Sequence, residues 1–179
     1  PIFIATHRIA AVVVVPLMLQ RMLNHDRAAL APLRCIICGS APLSPPLATA
    51  TLDQLGAILF NLYGTSEAGF SLLATPALLQ RNADTIGRPI LGVHANVVDA
   101  AGDPVAPGAV GQLQIRSAWS AGQRWIATGD LACQAATGEF RLCGRVDDMI
   151  VSGGENVYPL EVEAILATHP ALDAVAVIG

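Results

Sequence analysis

Apolar runs and helical spacings alternate along the first 70 residues of the chain. Leucine and methionine recur at helical spacing within residues 11–24, which predicts a helix that Pro16 can open at its first turn. Unbroken apolar runs predict buried strands at residues 33–38 and 57–62. Between those runs, Ser44 stands at the capping position of a second helix that reaches about residue 56. This alternation predicts a mostly parallel sheet covered by helices.

The pattern changes after residue 85. Glycine and proline pairs now separate short apolar segments, such as residues 93–98 and 111–115. Strands of this length between turn residues predict a small antiparallel β module that reaches about residue 144.

The last part of the chain has a third pattern of apolar positions. Residues 159–168 predict a helix, and the apolar run at 174–178 predicts a strand. The fold class is therefore α/β and β, with three predicted segments: an α/β part at 1–86, the β module at 87–146, and the start of a small α+β domain at 147–179. Fewer than about 40 residues seldom fold without help, so we expect this last domain to be cut short.

The composition narrows the class of protein. Of 179 residues, 53% are hydrophobic and 13% are charged, which excludes a disordered chain. The net charge of -4 gives no reason to expect nucleic acid or an anionic membrane as a partner. The longest apolar stretch, residues 9–19, is shorter than the roughly 20 residues of a membrane span. We therefore expect a cytoplasmic protein without a transmembrane segment or signal peptide.

The four cysteines do not form a convincing site. Cys35 and Cys38 have C-x-x-C spacing, but a strand would direct them to opposite faces. Cys133 and Cys143 are spaced too widely for a zinc ribbon. The pattern favours reduced, buried core residues over a metal or redox site.

Residues 63–67 combine several functional groups directly after a predicted buried strand. The phenol of Tyr63 can stack on a purine, the hydroxyls of Thr65 and Ser66 can donate to a phosphate, and Glu67 can hold a phosphate-bound magnesium ion. Gly64 lies among them. An ordinary strand-end turn with an exposed glutamate remains an equal alternative.

Two further elements can contribute to a nucleotide site. Residues 128–130 read Thr-Gly-Asp, in which Asp130 can accept hydrogen bonds from two ribose hydroxyls, although such sequences are also common in turns. The small residues 39–41 (Gly39, Ser40, Ala41) allow backbone to approach a flat ring, and Asn61 can contact the adenine amino group.

The most specific segment covers residues 144–159, Gly-Arg-Val-Asp-Asp-Met-Ile-Val-Ser-Gly-Gly-Glu-Asn-Val-Tyr-Pro. Arg145 offers a fixed fork of donors for ribose oxygens or a carboxylate. Asp147 follows it, and Gly153 and Gly154 form a glycine pair. The alternative is a surface turn with an arginine–aspartate ion pair, which would contribute little stability.

Together, these segments resemble the AMP-forming acyl- and aryl-CoA ligases of the adenylate-forming superfamily. The resemblance implies the C-terminal half of the large domain followed by the start of the small one. It further implies roles for individual residues. Tyr63 would stack on adenine beside residues 39–41, and the side-chain carbonyl oxygen of Asn61 would contact the adenine amino group. Ser66 and Glu67 would be catalytic, with Ser66 on the α-phosphate and Glu67 on Mg²⁺, and Gly64 and Thr65 would belong to the same nucleotide-binding element. Asp130 and Arg145 would contact ribose, Asp147 would be the domain hinge, and Gly153 and Gly154 would line the CoA pantetheine.

The reaction implied by the resemblance has two steps. A small carboxylic acid attacks ATP to give acyl-AMP, and CoA then displaces AMP. The family uses a lysine-ending phosphate loop and a further lysine, whereas all ten basic residues here are arginines. We therefore expect this chain alone to be inactive.

Other members of the superfamily remain as alternatives. These are a peptide-synthetase adenylation domain, a fatty acyl-AMP ligase, and a non-catalytic nucleotide-binding homologue. Residues 152–159 favour a CoA ligase, whereas the short stretch at 117–126 and the pair Ile126-Ala127 depart from the family pattern. The acyl group and the oligomeric state are not indicated.

Overall fold

The computed structural model describes residues 1–25, 27–119, 124–167, 169, 171–172 and 175–179. The chain divides into two compact units, residues 1–93 and 94–179. Within the described ranges, no helix is both long enough and apolar enough to cross a membrane.

The first unit alternates helices and strands. Its strands are β1 (Ala11–Val14), β2 (Cys35–Gly39), β3 (Leu59–Thr65), β4 (Gly69–Ala74) and β5 (Thr85–Pro89). Its helices are α1 (Ile2–His7), α2 (Pro16–Leu23), α3 (Pro45–Leu55) and α4 (Pro76–Arg81), with a short 3-10 helix at Arg27–Leu30.

The strands of this unit lie side by side in chain order. Strands β1, β2 and β3 are parallel, with Ile36 opposite both Val12 and Leu59. Strands β4 and β5 continue the sheet in antiparallel fashion. The predicted sheet with helical connections is thus confirmed, and its parallel part brings the carboxyl ends of β2 and β3 to one edge.

Helices and sheet share one apolar core. Strand residues Ile36 and Leu59 are fully buried in it, as is Leu19 of α2. Removing such side chains from water contributes about 1.5–3 kcal/mol each. The core therefore fixes β2 and β3, the strands that lead to the candidate site.

The second unit is mainly antiparallel. It contains β6 (Val93–Val98), β7 (Val110–Ser117), β8 (Ile126–Gln134) and β9 (Phe140–Arg145), arranged in the order β9-β8-β7-β6. A short hairpin, β10 (Ile150–Ser152) with β11 (Glu155–Val157), precedes helix α5 (Pro159–Leu166). The predicted antiparallel module is confirmed.

Several element predictions need correction. Within residues 11–24, the helix α2 does open at Pro16 as predicted, but Ala11–Val14 form the strand β1 instead, because the β-branched valines pair with β2. No strand is assigned among residues 175–179, where the Val177 amide donates to Glu163 instead. Residue 174 of that predicted strand, residue 168 of the predicted last helix and residues 120–123 of the short stretch lie outside the described residues.

Three of the cysteines are buried and Cys35 is partly exposed, with all four unbridged. Burial raises the pKa of the Cys38 thiol to about 11. Burial also raises the pKa of Cys143 to about 12, against the opposing effect of the Arg141 guanidinium. These environments are those of core residues rather than of reactive thiolates.

We expect alkylation of the native protein at pH 8 to modify Cys35 first. Cys38, Cys133 and Cys143 should react much more slowly, because burial limits reagent access and, for Cys38 and Cys143, also suppresses the thiolate. Peptide mass spectrometry over a time course measures each rate, and Cys35→Ser should remove the fast phase. Equal rates at Cys35 and Cys38 would contradict the burial described.

Candidate functional site

The carboxyl ends of β2 and β3 bring two of the predicted adenine elements together. Gly39 is the register partner of Leu62, and a Cβ at Gly39 would lie 2.7 Å from the Leu62 carbonyl oxygen. Ser40 has a φ of 66°, a left-handed conformation that is uncommon for a residue with a side chain. It turns the chain sharply after β2 and leaves Ser40 and Ala41 exposed next to the end of β3.

Residues 63–67 are not a simple strand-end loop. Tyr63, Gly64 and Thr65 continue β3, and Ser66 and Glu67 form the tip of its hairpin with β4. The strands come very close here, since Gly64 pairs with Phe70 after a register shift. The correction concerns local structure: the glycine permits a tight strand pair where the sequence predicted a turn.

The hairpin tip separates accessible groups from buried ones. The Thr65 hydroxyl accepts a hydrogen bond from the Ala68 amide at 3.1 Å and thereby closes the turn. Ser66 and Glu67 are exposed, whereas Tyr63 is only 8% exposed. The hydroxyl of Ser66 and the carboxylate of Glu67 are therefore available to a ligand, while the Tyr63 ring is not openly displayed.

Asn61 has a structural partner. It is 5% exposed, and its Nδ2 donates to the Thr85 carbonyl oxygen at 3.1 Å, which links β3 to the start of β5. This bond uses the amide nitrogen, whereas the prediction concerned the side-chain carbonyl oxygen. Asn61 therefore stabilises the sheet whether or not it also contacts a ligand.

The Thr-Gly-Asp sequence of the second unit forms a bulge inside β8. Gln112 pairs with Leu131 and Gln114 pairs with Ala127, so Leu113 alone faces residues 128–130. Gly129 occupies this bulge with a φ of 77°, a conformation that glycine adopts without strain. Bulges of this kind change the direction of a side chain and are common next to active sites.

The hydroxyl of Thr128 holds the bulge. It donates to the Leu113 carbonyl oxygen at 3.0 Å and accepts the Asp130 amide at 3.2 Å. A third bond joins the Val146 amide to the Gly129 carbonyl oxygen at 2.9 Å. The backbone of the bulge is thereby bonded to both neighbouring strands, which fixes Asp130.

Asp130 and Arg145 are cross-strand partners in β8 and β9. Arg145 Nη1 lies 3.2 Å from Asp130 Oδ1, and its Nη2 lies 4.0 Å from Asp147 Oδ2. The Asp130 side chain is 13% exposed and that of Arg145 is 50% exposed. A fixed carboxylate beside a half-exposed guanidinium offers both acceptors and donors to a pair of neighbouring hydroxyls.

Gly153 and Gly154 form the two-residue loop between β10 and β11. Their φ angles are 60° and 88°, and Ser152 pairs with Glu155. Positive φ at both positions is the requirement of the tightest hairpin turns. The glycine pair therefore has a sufficient structural reason, and its contact with pantetheine stays a prediction.

A cavity of the first unit lies away from these residues. A groove of about 440 Å³ is lined by residues that include Arg34 and Ile58, which precede β2 and β3. It therefore lies at the sheet edge opposite Gly39. Arg34 Nη1 donates to the carbonyl oxygens of Ala31 and Leu33 at 2.7 and 2.8 Å, so this guanidinium stabilises a turn.

Within each unit, the structure brings several predicted residues together. In the first, Gly39 lies opposite Leu62, the residue before Tyr63 in β3. In the second, Asp130 and Arg145 are in direct contact. The sequence did not single out Thr128, although a hydroxyl two residues before an aspartate is a recognisable signal for a local hydrogen bond.

The family is established by comparison with known proteins. Residues 2–123 match the family model described as AMP-binding enzyme. This match covers more than half of the chain, so the chain belongs to the AMP-binding enzyme family. The resemblance to AMP-forming acyl- and aryl-CoA ligases is thereby confirmed.

Two curated relatives extend the likeness past residue 123. The medium/long-chain-fatty-acid–CoA ligase FadD8 of Mycobacterium tuberculosis is 33% identical over 195 residues, which covers 98% of this chain and 34% of the relative. The feruloyl-CoA synthase of an Amycolatopsis species is 33% identical, covering 96% of this chain and 38% of the relative. The chain thus spans a little over a third of the length of these relatives.

A solved structure agrees with the fold. The amide bond synthetase McbA from Marinactinospora thermotolerans superposes with a TM-score of 0.90 at 31% identity, covering 98% of this chain and 40% of that one. The adenylate-forming fold class is confirmed by this likeness.

We expect Thr128→Val to lower the free energy of unfolding by about 2–4 kcal/mol. Valine has nearly the same shape but leaves the buried Leu113 carbonyl and the Asp130 amide without their partner. Thr128→Ser keeps the hydroxyl and should cost less than about 1 kcal/mol. Urea unfolding followed by circular dichroism compares the two, and equal losses would mean that the hydroxyl does not hold the bulge.

Proposed function

We propose that this chain supplies the nucleotide-binding and hinge-bearing part of an ATP-dependent carboxylate–CoA ligase. The observation that carries this proposal is the bulge in β8, which fixes Asp130 against Arg145. An exposed ion pair contributes only about 0–1 kcal/mol, so stability alone is a poor reason to distort a strand. Fixing a carboxylate so that it can bind two ribose hydroxyls is a better reason for the bulge.

Each unit has its own proposed role. In the first, residues 39–41 and Tyr63 contact the adenine. Thr65 and Ser66 lie along the phosphates, and Glu67 binds the metal ion. In the second, Asp130 and Arg145 take the ribose. Residues 147–179 open the small domain, with Asp147 as its hinge and Gly153 and Gly154 along the pantetheine of CoA.

The fit for magnesium rests on Glu67. The described residues contain no group of three or more histidine, cysteine, aspartate or glutamate side chains that could hold a metal ion. Mg²⁺ is commonly bound through one or two carboxylates together with substrate phosphates, so the exposed Glu67 suits this mode. When bound, the ion neutralises phosphate charge.

The proposed reaction joins two anions in its first step. The substrate carboxylate attacks the α-phosphate of ATP, the bond to pyrophosphate breaks, and acyl-AMP forms. The CoA thiolate then attacks the acyl carbonyl and displaces AMP. In this chain, Ser66 is placed to donate to the phosphate, while Asp130 and Arg145 orient the ribose; these are positioning and electrostatic contributions.

The acceptor in the second step can be argued from the relatives. Both curated relatives reported above carry CoA ligase or CoA synthase names, which supports a CoA thiol. McbA is an amide bond synthetase, so an amine acceptor is the second candidate. Both candidates share acyl-adenylate formation and therefore the same nucleotide contacts. The two named acids, a fatty acid and ferulate, leave the substrate class as a small carboxylic acid.

We expect AMP to bind this chain and Asp130→Ala to weaken that binding about 10- to 100-fold, the value of hydrogen bonds to a charged group. Asp103→Ala removes an exposed carboxylate of the same unit and should leave the affinity unchanged. Isothermal titration calorimetry measures each dissociation constant. AMP lacking both ribose hydroxyls should bind weakly to the native chain, with no further loss in Asp130→Ala. AMP affinity that survives Asp130→Ala would contradict the assignment.

We expect no ATP–pyrophosphate exchange by the 179-residue chain alone. The first step needs cations at the developing negative charge, and the chain contains no lysine for the phosphates. A polypeptide of the relatives' length that contains this chain should exchange when given its acid substrate. Robust exchange by the isolated chain would overturn this expectation.

A further inference from the structure

The described side chains of the segment that follows Asp147 are exposed or only partly buried. Among the described residues of α5, none is buried, and Ile165 is 72% exposed. Its apolar attachment is formed by Met149 and Tyr158, which pack against a small cluster of Leu131, Cys133 and Cys143. The buried members of that cluster all lie on β8 and β9, before Asp147 in the chain.

One ion pair crosses from β9 to α5. Arg141 Nη1 lies 3.2 Å from Glu161 Oε1, and the two side chains are 33% and 41% exposed. Arg141 precedes Asp147 and Glu161 follows it, so the pair joins the two sides of the proposed hinge. Glu161 also lies in the first turn of α5, where the helix dipole favours a negative charge.

The neighbouring acidic side chain of α5 has a different partner. Glu163 Oε1 accepts the Val177 amide at 2.9 Å, so it binds the chain end to the helix rather than the helix to β9. The Arg141–Glu161 pair therefore joins α5 to β9 through opposite charges, whereas Glu163 does not.

We propose that Arg141 and Glu161 form a breakable latch that holds the segment after Asp147 against β8 and β9. The proposal rests on the hinge assigned above to Asp147. A partly exposed ion pair favours the attached orientation by only about two- to five-fold, which makes it strong enough to bias the orientation and weak enough to be exchanged for other contacts. These two residues are positioning residues: their role is exercised through the orientation of the segment.

The buried thiols give a direct test. Cys133 and Cys143 belong to the buried cluster against which Met149 and Tyr158 pack, so release of the segment should increase the exposure of both thiols. In the full chain, Arg141→Gln and Glu161→Gln should each accelerate alkylation of Cys133 and Cys143 about two- to five-fold, with a similar gain in amide exchange along α5. The charge-swapped double variant, Arg141→Glu with Glu161→Arg, should restore slow rates.

Two controls separate the latch from other effects. Cys38 lies in the other unit, and its rate should stay constant if the variants remain folded. Glu155→Gln, which alters an exposed acidic residue of the β10–β11 hairpin, should change nothing. In 1 M salt, the native chain should approach the rates of the single variants, because screening weakens exposed ion pairs.

The two single variants also distinguish release from a change in thiol acidity. Arg141 lowers the pKa of Cys143 and Glu161 raises it. Through acidity alone, their removal would change the alkylation rate in opposite directions, whereas release of the segment accelerates both. Opposite directions would overturn the latch, and so would faster exchange in α5 with unchanged thiols, which indicates local fraying. No nucleotide is used, so either result is independent of the AMP-binding test.

Discussion

The second unit depends on the hydroxyl of Thr128. Three residues of β8 face one residue of β7, and this irregularity would leave a backbone carbonyl and an amide unpaired without a local partner. Thr128 satisfies both groups and is 8% exposed, so its bonds are made largely out of water. The cost of losing them explains why the bulge has one geometry. The geometry in turn fixes Asp130 relative to Arg145.

In the first unit, backbone conformation rather than a side-chain hydrogen bond fixes the geometry next to the candidate site. Parallel β2 and β3 end at one edge, and Gly39 lets them approach so closely that a side chain would overlap the Leu62 carbonyl. Ser40 then adopts a left-handed conformation, which costs energy for a residue with a side chain. Such strain is maintained by the surrounding sheet, and it places small residues where a flat ligand could approach the backbone.

Candidate chemical groups could be predicted from the sequence more completely than the local backbone geometry that positions them. Asp130 and Arg145 were recognisable as a potential pair for ribose, but the bulge depends on pairing with β7, and no local pattern encodes that register. The strand predicted at residues 57–62 runs on to Thr65, because Gly64 permits a close strand pair with β4. Strand β1 was missed because its four residues were grouped with the helical spacing that follows Pro16.

At Ser44, the position of a helix N-cap was predicted correctly, but its hydrogen bonding was not. The residue is at the N-cap of α3, as predicted, but its side chain makes no capping hydrogen bond. The first two helical positions are Pro45 and Pro46, which have no amide hydrogen, so fewer donors remain for the serine to satisfy. The prolines start the helix through their fixed φ, and the position of the cap was therefore correct for a different physical reason.

The two units differ in how firmly their parts are held. Ile36 and Leu59 are fully buried in the first unit, and moving either would disrupt the core. Among the described residues, the segment after Asp147 instead packs on a small apolar cluster and shares a partly exposed ion pair with β9. The proposed rotation of this segment between two half-reactions requires that it not be held by contacts worth many kcal/mol, since those would trap one state. The exposed side chains of α5 are compatible with that proposal, and the fixed geometry at Asp130 is compatible with the proposed nucleotide site.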